Sequence, residues 1–382
     1  MQKKVFLIRN VAPNKFGGGE VYQLELAKEL KAHGFLPYII TNSEELLKRA
    51  KSLGIETFTP PYIKTQNWSG AKNFLLPFYW LNINVQKRWY SGLFQAERPA
   101  IVNIQSRDDW ISATMAANKL KVRTIWTDHA DFRNWVLWNV DKKFKNSIGK
   151  KIVSLMPTVG KIVLISRYEK QWLQDILSKL PNNITIIRNG VLDKREQYNG
   201  SKAPKNSFVY VGRITQEKGV SELIDAFNIV SVKYPSITLN IYGDGPDLES
   251  YKKASGSNKR IVFHGCTDEP LKAIAGNEFF ILPSHREGLS LSLLDAAMMQ
   301  KAIIATNVGA ASEVIDDRKT GLLINPNSTE DLAEAMAKVI DDRSLSITMA
   351  KNARRRYEQE FNFEQIFEKE MLPLYQEREA NE

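Results

Sequence analysis

Cysteine is almost absent from this sequence, since Cys266 is the single one among 382 residues. One thiol excludes a disulfide framework and any structural zinc site built on several cysteines. Such low cysteine usage is typical of a protein that works in a reducing compartment. We therefore expect a cytoplasmic protein.

Long hydrophobic runs are also missing. No stretch of about 18 apolar residues occurs, and the opening residues MQKKVFLIRN pass directly into a strand pattern. Neither a membrane-spanning helix nor a signal peptide is expected. The hydrophobic content of 43% and the charged content of 25% are typical of a soluble globular protein. The length allows two domains of ordinary size.

Acidic residues are scarce in the first half of the chain. Residues 1–190 contain 29 Lys and Arg against 14 Asp and Glu, whereas residues 191–382 contain 24 against 29. All eight tryptophans also fall in the first half. The halves are therefore built differently, and the first should attract anionic partners. On charge alone, nucleic acid, an anionic membrane surface and an acidic glycan remain open as partners.

Strand and helix patterns alternate along the whole chain. An apolar run at residues 3–9 leads through the glycines of Gly17–Glu20 into a helical pattern, and the second half repeats this order from residue 207. Such alternation predicts an α/β fold with two doubly wound parallel sheets of the Rossmann type, facing each other across a cleft.

Composition changes near the middle of the chain. Residues 191–207 are polar, and the charge changes sign there. We place the domain boundary at this point, with an N-terminal domain over residues 1–188 and a C-terminal domain over residues 189–359. The last helix, from about residue 360 to 382, is expected to cross back onto the first domain.

The stretch PSHREGLSLSLLDAA, from Pro283 to Ala297, carries the strongest functional pattern. A buried strand at residues 278–282 leads into a polar loop, and a helix is expected to begin near Leu289. A helix start presents unpaired N–H groups to a phosphate. Glu287 precedes this helix and Asp295 lies on it, so both carboxylates can face one ligand. The arrangement predicts a sugar-nucleotide site, although two solvated acids would give the same pattern.

Two cations follow the strand at residues 207–211. Arg213 and Lys218 lie on the loop Gly212–Gly219, just beyond the carboxyl end of that strand. Arginine grips phosphate oxygens with two N–H groups and lysine supplies a point charge, so the pair predicts a diphosphate site. The alternative is two solvated surface cations.

His129 is one of four histidines and follows the strand at residues 123–127. The carboxyl ends of parallel strands are where α/β domains bind ligands, and an imidazole can hold a proton near neutral pH. Its position makes it the best candidate of the four histidines for a ligand site, and Asp131 and Arg133 follow it on the same segment. A structural histidine is the alternative.

Residues 136–152 carry apolar side chains at four-residue steps, with lysines between them. This pattern predicts an amphipathic helix with a basic polar face. Such a helix would lie on an anionic bilayer or pack its apolar stripe on the domain core. The sequence leaves both interpretations open.

Several motifs, taken in order, resemble those of the retaining glycosyltransferases of family 4. They are GGGE at Gly17–Glu20, GRxxxxKG at Gly212–Gly219, GxGP at Gly243–Pro246, PSxxEG at Pro283–Gly288, and the TNVG, EVI and TGLL series from Thr306 to Leu323. The resemblance covers nearly the whole chain. It implies the GT-B fold, in which two Rossmann-like domains face each other, and a nucleotide diphosphate sugar as donor.

The resemblance also implies roles for individual residues. Arg213 and Lys218 would stabilise the diphosphate leaving group without a metal, and Glu287 would bind sugar hydroxyls. Asp295 would bind the ribose. His129 would lie near the sugar and the acceptor, with Asp131 and Arg133 on the acceptor side. The expected catalytic residues are Glu287, His129, Arg213 and Lys218, and the expected donor-binding residues are Gly18, Arg213, Lys218, Gly243, Cys266, Glu287, Leu289, Ser290, Leu291 and Asp295. No cofactor is expected beside the sugar nucleotide.

Two positions depart from the family pattern. Asp295 stands where a second glutamate is usual, so its contact with the ribose would be longer or bridged by water. Leu289 and Ser290 stand where a Phe-Gly pair is commonest. The amides around the phosphate are therefore expected to differ slightly from the family arrangement.

We expect the protein to transfer a hexose, with retention at the anomeric carbon, to a glycan or lipid-linked acceptor in bacterial envelope polysaccharide synthesis. UDP is the favoured nucleotide on family frequency. The basic first half favours an anionic acceptor and peripheral contact with the inner face of the membrane. Alternatives are a sugar-nucleotide epimerase or hydrolase of the same fold and, from charge alone, an anionic-surface or nucleic-acid binder. The phosphate-site motifs count against this last alternative.

Overall fold

The computed structural model describes residues 2–10, 17–61, 75–129, 143–177, 179–200, 203–256 and 258–377. The chain divides into two compact units. The first comprises residues 1–187 and 367–382, and the second comprises residues 188–366. The chain therefore leaves the first unit close to the expected boundary and returns to it at residue 367.

The described part of the first unit is built on a seven-stranded parallel sheet with the order β3-β2-β1-β4-β5-β6-β7. The strands are β1 Lys4–Ile8, β2 Leu36–Ile40, β3 Glu56–Phe58, β4 Ile101–Ile104, β5 Arg123–Asp128, β6 Lys161–Leu164 and β7 Ile184–Ile186. The helices between them are α1 Gly18–Ala32, α2 Glu44–Ser52, α3 Leu76–Glu97, α4 Arg107–Lys119, α5 Lys143–Leu155 and α6 Arg167–Ile176.

The described part of the second unit is built on a six-stranded parallel sheet with the order β10-β9-β8-β11-β12-β13. The strands are β8 Ser207–Val211, β9 Thr238–Tyr242, β10 Ile261–Gly265, β11 Phe279–Leu282, β12 Ala302–Thr306 and β13 Leu322–Ile324. The helices are α7 Val220–Lys233, α8 Leu248–Ala254, α9 Pro270–Ala275, α10 Leu291–Met298, α11 Ala311–Val314, α12 Thr329–Asp341, α13 Arg343–Glu360 and α14 Phe363–Ile366.

Both sheets share one order, in which the first strand of each unit lies between the second and the fourth. The chain winds outward in both directions from that strand, so the switch points fall between β1 and β4 and between β8 and β11. The predicted α/β class with two doubly wound, Rossmann-like parallel sheets is confirmed. In such sheets ligands bind at the carboxyl ends of the strands beside the switch point.

Two of the tryptophans form the centre of the first core. Trp110 and Trp126 are fully buried and stack with ring centroids 5.6 Å apart. Trp110 Nε1 donates to the carbonyl of Ile104 at 3.0 Å, and Trp126 Nε1 donates to Thr114 Oγ1 at 2.8 Å. Burying such rings contributes on the order of 2–3 kcal/mol each. These two tryptophans are therefore core residues and not part of a binding surface.

Helix α5 contains the described part of the expected basic helix. Ile148 and Ile152 are fully buried in the core of the first unit, whereas Lys150 is exposed. These two members of the apolar stripe therefore pack on the domain, as one of the two interpretations of the sequence proposes. Residues 136–142 lie outside the described residues.

The C-terminal segment packs on the first unit through specific contacts. Residues 367–371 form a π-helical turn, followed by α15 Leu372–Gln376. Asn103 Nδ2, in β4, donates to the Tyr375 hydroxyl at 2.7 Å, and Arg123 forms an ion pair with Glu377 at 2.7 Å. The segment therefore belongs to the first unit. Across the described ranges, no helix combines the length and apolar character needed to span a bilayer.

Candidate active site

The two loops at the switch point of the second unit bring opposite charges together. Lys218, on the loop after β8, donates from Nζ to Glu287 Oε1 at 2.5 Å. Glu287 lies on the loop after β11 and also accepts from Ser284 Oγ at 2.8 Å. The Lys218 and Glu287 side chains are 15% and 13% exposed. The sequence placed both residues in a site but gave no sign that they touch.

Close backbone packing holds these loops together. The amide of His285 donates to the carbonyl of Glu217 at 2.9 Å. Gly219 has φ +64, and a Cβ there would stand 2.0 Å from the Pro283 carbonyl oxygen. A side chain at this position would both strain the backbone and push the two loops apart.

The predicted donor residue Gly243 supports the same loop from the other side. Its φ is +146, and a Cβ there would stand 1.8 Å from the Gly212 carbonyl oxygen. Its amide donates to the carbonyl of Gly265 at 2.8 Å. Gly243 therefore lets the turn after β9 pack directly on the loop that carries the two cations.

Arg213 is exposed on the same loop as Lys218, two residues beyond the end of β8. Its carbonyl accepts from the buried Tyr210 hydroxyl at 2.7 Å, which fixes the backbone below the guanidinium. Burial raises the pKa of Tyr210, and the charge of Glu287 adds to that rise. Tyr210 is therefore a neutral donor that positions this loop.

Helix α10 begins at Leu291, two residues later than expected from the sequence. The reason is that Leu289 is 6% exposed and anchors the preceding loop in the core, while Ser290 has the extended torsions of a helix cap. The Ser290 hydroxyl does not cap the helix but lies 3.0 Å from Ser292 Oγ. The helix start, four residues after Glu287, thus retains backbone N–H groups suited to an anion.

Asp295 lies on α10, one turn beyond its start. It is partly buried, and loss of hydration raises the pKa of its carboxyl to about 7, opposed by the charge of Lys194. The carboxyl therefore changes its protonation near neutral pH. Cys266 follows β10 as a free, exposed thiol.

In the first unit, the predicted phosphate-binding Gly18 is exposed at the start of α1, beyond the carboxyl end of β1. Glu20 accepts from the Gly17 amide at 2.8 Å and from Arg9 Nε at 2.6 Å. Glu20 is 4% exposed. It therefore caps the helix and fixes the glycines, and Arg9 neutralises its charge.

His129 lies at the end of β5 in the same unit. Its Nε2 is 3.3 Å from Gln105 Oε1, and its ring meets Tyr22 edge-on at 4.9 Å. Burial holds the pKa of His129 well below its usual range, and the charge of Arg9 lowers it further. The imidazole is therefore neutral at pH 7 and suited to hydrogen bonding with a neutral group. Asp131 and Arg133 lie outside the described residues.

A cavity of about 600 Å³ opens at the other end of this sheet, near the amino ends of β1, β4 and β5. Lys3, Arg98, Lys121 and Arg123 line it, together with Glu377. None of the predicted site residues lies there. The candidate site is defined by the carboxyl ends of the strands and not by this cavity.

The chain is similar to known glycosyltransferases over most of its length. Residues 16–195 match the family described as Glycosyltransferase Family 4, and residues 193–356 match Glycosyl transferases group 1. The capsular polysaccharide biosynthesis glycosyltransferase CapM of Staphylococcus aureus is 25% identical over 308 residues, covering 74% of this chain and 78% of that protein. The alpha-D-kanosaminyltransferase of Streptomyces kanamyceticus is 32% identical over 164 residues, or 42% of each chain.

Solved structures agree on the fold. A glycosyltransferase from Rickettsia africae aligns over 100% of both chains with a TM-score of 0.78 and 21% identity. HepE from Anabaena, solved in complex with UDP-glucose, aligns over 97% of this chain and 99% of that one, with a TM-score of 0.78 and 16% identity. These structural likenesses concern the fold alone. The two family matches together span residues 16–356, and on that ground the chain belongs to the family 4-type glycosyltransferases of the GT-B fold.

Proposed function

We propose that the protein transfers a hexose from a UDP-sugar to a glycan or lipid-linked acceptor, with retention at the anomeric carbon, in bacterial envelope polysaccharide synthesis. The observation that carries the proposal is the contact of Lys218 with Glu287 at the switch point of the second unit, where Glu287 precedes the start of α10 by four residues. A cation, a carboxylate and free helix amides within one small region suit a diphosphate joined to a sugar.

Each side chain has a proposed role in the reaction. Arg213 and Lys218 bind the diphosphate and stabilise the charge that grows as its bond to the sugar breaks, with no metal required. Glu287 then accepts hydrogen bonds from sugar hydroxyls, and Asp295 binds the ribose. The acceptor oxygen bonds to the anomeric carbon on the face that the phosphate leaves. The acceptor proton passes to a phosphate oxygen, and UDP is released.

The relatives support the choice of donor and pathway class. CapM is named for capsular polysaccharide biosynthesis, HepE is solved with UDP, glucose and UDP-glucose, and TarM of S. aureus is solved with UDP. UDP is therefore the first nucleotide to test. His129 is proposed to face the acceptor as a neutral hydrogen-bonding group.

The test begins with a thermal-shift screen of UDP-, GDP- and ADP-sugars, followed by turnover assays and assignment of the product anomer by NMR. Arg213→Ala and Glu287→Ala are each expected to lower donor turnover at least 100-fold, or about 3 kcal/mol. Lys233→Ala is the control, since Lys233 is exposed and paired with Asp341. Wild-type rates in both site variants would refute the site. Donor consumption without any acceptor would identify a hydrolase or epimerase instead.

We also propose that the basic first half contacts the anionic inner face of the membrane and favours an acceptor that carries phosphate or carboxylate. Because Ile148 and Ile152 are buried, the contribution of α5 would be electrostatic, through lysines such as Lys150. Binding to anionic vesicles should therefore be strong at low salt and lost at high salt. Absence of co-sedimentation at low salt would contradict this part of the proposal.

A further inference from the structure

Helix α3 exposes apolar side chains on its outward face. Phe78, Leu81 and Val85 are 59%, 61% and 45% exposed. They follow one another at steps of three and four residues, so they share one face of the helix. The other exposed large apolar side chains of the described residues are scattered, with at most two on any one helix. Single exposed apolar residues are ordinary on a protein surface, whereas a row of three indicates a surface that contacts a partner.

The opposite face of α3 already packs on the core of the first unit. Tyr79, Ile83, Tyr90 and Phe94 are buried there. A helix that is apolar on both sides is normally buried on both sides. The outward row of Phe78, Leu81 and Val85, which we call the α3 stripe, is therefore apolar surface that the packing of the domain does not account for.

The charges on α3 are almost all of one sign. Residues 76–96 include no Asp or Glu but contain Lys87 and Arg88. Arg88 is exposed and follows Leu81 by seven residues, so it continues the face of the α3 stripe toward the end of the helix. Glu97, the last residue of the helix, is paired with Lys4 at 2.7 Å. The outward face therefore combines apolar side chains with positive charge.

The basic helix α5 lies on the same side of the sheet as α3. Helices α3, α4 and α5 contribute to one core, for example through Tyr79, Trp110 and Ile148. The strands contribute to this core residues that are two positions apart, namely Phe6 and Ile8, Val102 and Ile104, and Ile162 and Leu164. Residues two apart lie on one face of a sheet, so all three helices cover that face. The exposed Lys150 of α5 therefore belongs to the same side of the unit as the α3 stripe.

An anionic lipid bilayer fits both parts of this surface. Its headgroups attract arginine and lysine, and the boundary between headgroups and acyl chains accepts the apolar face of a helix that lies in the membrane plane. Trp80 and Trp89 are half-buried on α3, and tryptophan is enriched at this boundary. A second copy of the chain fits less well, because a symmetric contact would bring two surfaces of the same positive charge together.

We propose that the α3 stripe inserts into the headgroup region of an anionic bilayer, with Arg88 and Lys150 beside the lipid phosphates. This inference rests on the proposed membrane contact of the first half and deepens it by naming the surface that touches lipid. Three side chains are too few to anchor a protein by themselves, so insertion and electrostatic attraction act together, and high salt still releases the protein.

The test replaces stripe residues with glutamine, which removes apolar surface and leaves the charge unchanged. Leu81→Gln and Phe78→Gln are compared with Ile347→Gln, because Ile347 is 56% exposed on α13 of the second unit. Co-sedimentation at low salt uses vesicles of phosphatidylglycerol and phosphatidylcholine in equal parts, and vesicles of phosphatidylcholine alone. The pressure rise of a phosphatidylglycerol monolayer measures insertion separately from adsorption. Sedimentation velocity without lipid, thermal unfolding and UDP calorimetry are measured on the same proteins.

The wild type is expected to raise the monolayer pressure and to bind the mixed vesicles at least 10-fold more tightly than phosphatidylcholine vesicles. Each stripe variant should lose about 10-fold in affinity for the mixed vesicles, together with most of the pressure rise. Ile347→Gln should behave as the wild type. The unfolding temperature and the affinity for UDP should stay unchanged in all three variants, because the replaced side chains are exposed.

Stripe variants that bind vesicles as tightly as the wild type would overturn the inference. A dimer in solution that Leu81→Gln dissociates would also overturn it, since the α3 stripe would then join two copies of the chain. Lower unfolding temperatures in the stripe variants would show that the stripe packs within the protein instead. A wild type that binds no anionic vesicles would remove the proposed membrane contact as well, whereas UDP binding and donor turnover judge the proposed hexose transfer separately.

Discussion

The two units share one strand order, yet their switch points carry different chemistry. In the second unit, the loops after β8 and β11 present Arg213, Lys218 and Glu287 beside a helix start. In the first unit, the ends of β1 and β4 present amides, while the ion pair of Arg9 and Glu20 is committed to capping α1. One topology therefore carries different groups at its two switch points: an ion pair in the second unit, and amides beside the buried carboxylate of Asp109 in the first.

The comparison also shows that the charge of a region does not predict the charge of its site. Residues 1–190 have 29 basic residues against 14 acidic ones, but the described groups at their switch point include amides, a neutral histidine, an arginine paired with Glu20 and the buried carboxylate of Asp109. Residues 191–382 are net acidic, yet they carry the two cations proposed for the diphosphate. Net charge describes the surface that guides a partner, whereas the loops at the strand ends define the chemistry.

The largest expected contrast comes from breaking one ion pair in each unit. Lys218→Met should lower kcat/KM at least 100-fold, because the developing charge on the diphosphate loses a partner. Arg9→Met should instead lower the free energy of unfolding by about 3 kcal/mol, because Glu20 would be left charged and buried. Steady-state kinetics and urea denaturation of both variants measure the contrast. A Lys218→Met variant with wild-type activity, or an Arg9→Met variant as stable as the wild type, would contradict the expected contrast between the two units.

A smaller contrast comes from the same glycine substitution in each unit. Gly219→Ala should cost more than about 2 kcal/mol of unfolding free energy, because the new Cβ would stand 2.0 Å from the Pro283 carbonyl oxygen at a φ of +64. Gly92→Ala, on α3, meets nothing within 4 Å and should stabilise the helix by about 0.5–1 kcal/mol. Thermal and urea unfolding report both values. Equal effects at the two positions would show that the close packing of the loops is not required.

The smallest contrast concerns pH. Because burial raises the pKa of Asp295 to about 7, the folded protein binds more protons than the unfolded chain between pH 4 and 7. Stability should therefore fall as pH rises through that window and level off above it. Asp295→Asn removes this dependence and should raise stability at pH 8 by on the order of 1 kcal/mol, a value reduced because the group is partly exposed.

Asp331 supplies the control of opposite sign. Hydrogen bonds from Asn325 lower the pKa of Asp331, so its contribution is present above its unfolded pKa and is lost as pH falls through the folded value. Asp331→Asn should therefore lower stability above the unfolded pKa of Asp331 and approach wild-type stability as pH falls through the folded value. A stability curve of Asp295→Asn that keeps the wild-type slope between pH 4 and 7 would show that this carboxyl does not titrate there.

The fold followed from local patterns in the sequence. Apolar runs such as residues 279–282 are too short for helices and recur between helical segments, which predicts buried parallel strands. The sequence predicts the start of α10 near Leu289, two residues too early, because leucine favours helices. In the structure, the Leu289 side chain instead anchors the preceding loop in the core. That anchoring is a tertiary effect, so the local pattern does not contain it.

The site was predictable as a set of residues but not as an arrangement. The motifs identified Lys218 and Glu287 separately, whereas their contact joins residues 69 positions apart and depends on the adjacency of β8 and β11. The motifs do not single out Asn82 and Gln86, two buried amides on α3, although the sequence carries a signal for them. Amides at four-residue steps on the inward face of α3 interrupt an apolar stripe, and such a break is typical of a binding surface or a buried polar network.

Lys218 and the start of α10 are proposed to hold the second phosphate of the nucleotide. Calorimetry of UDP and UMP binding to the wild type and to Lys218→Met tests this directly. The wild type should bind UDP at least 10-fold more tightly than UMP, and Lys218→Met should remove most of that difference while leaving UMP affinity unchanged. Equal preference for UDP in the two proteins would contradict the central claim.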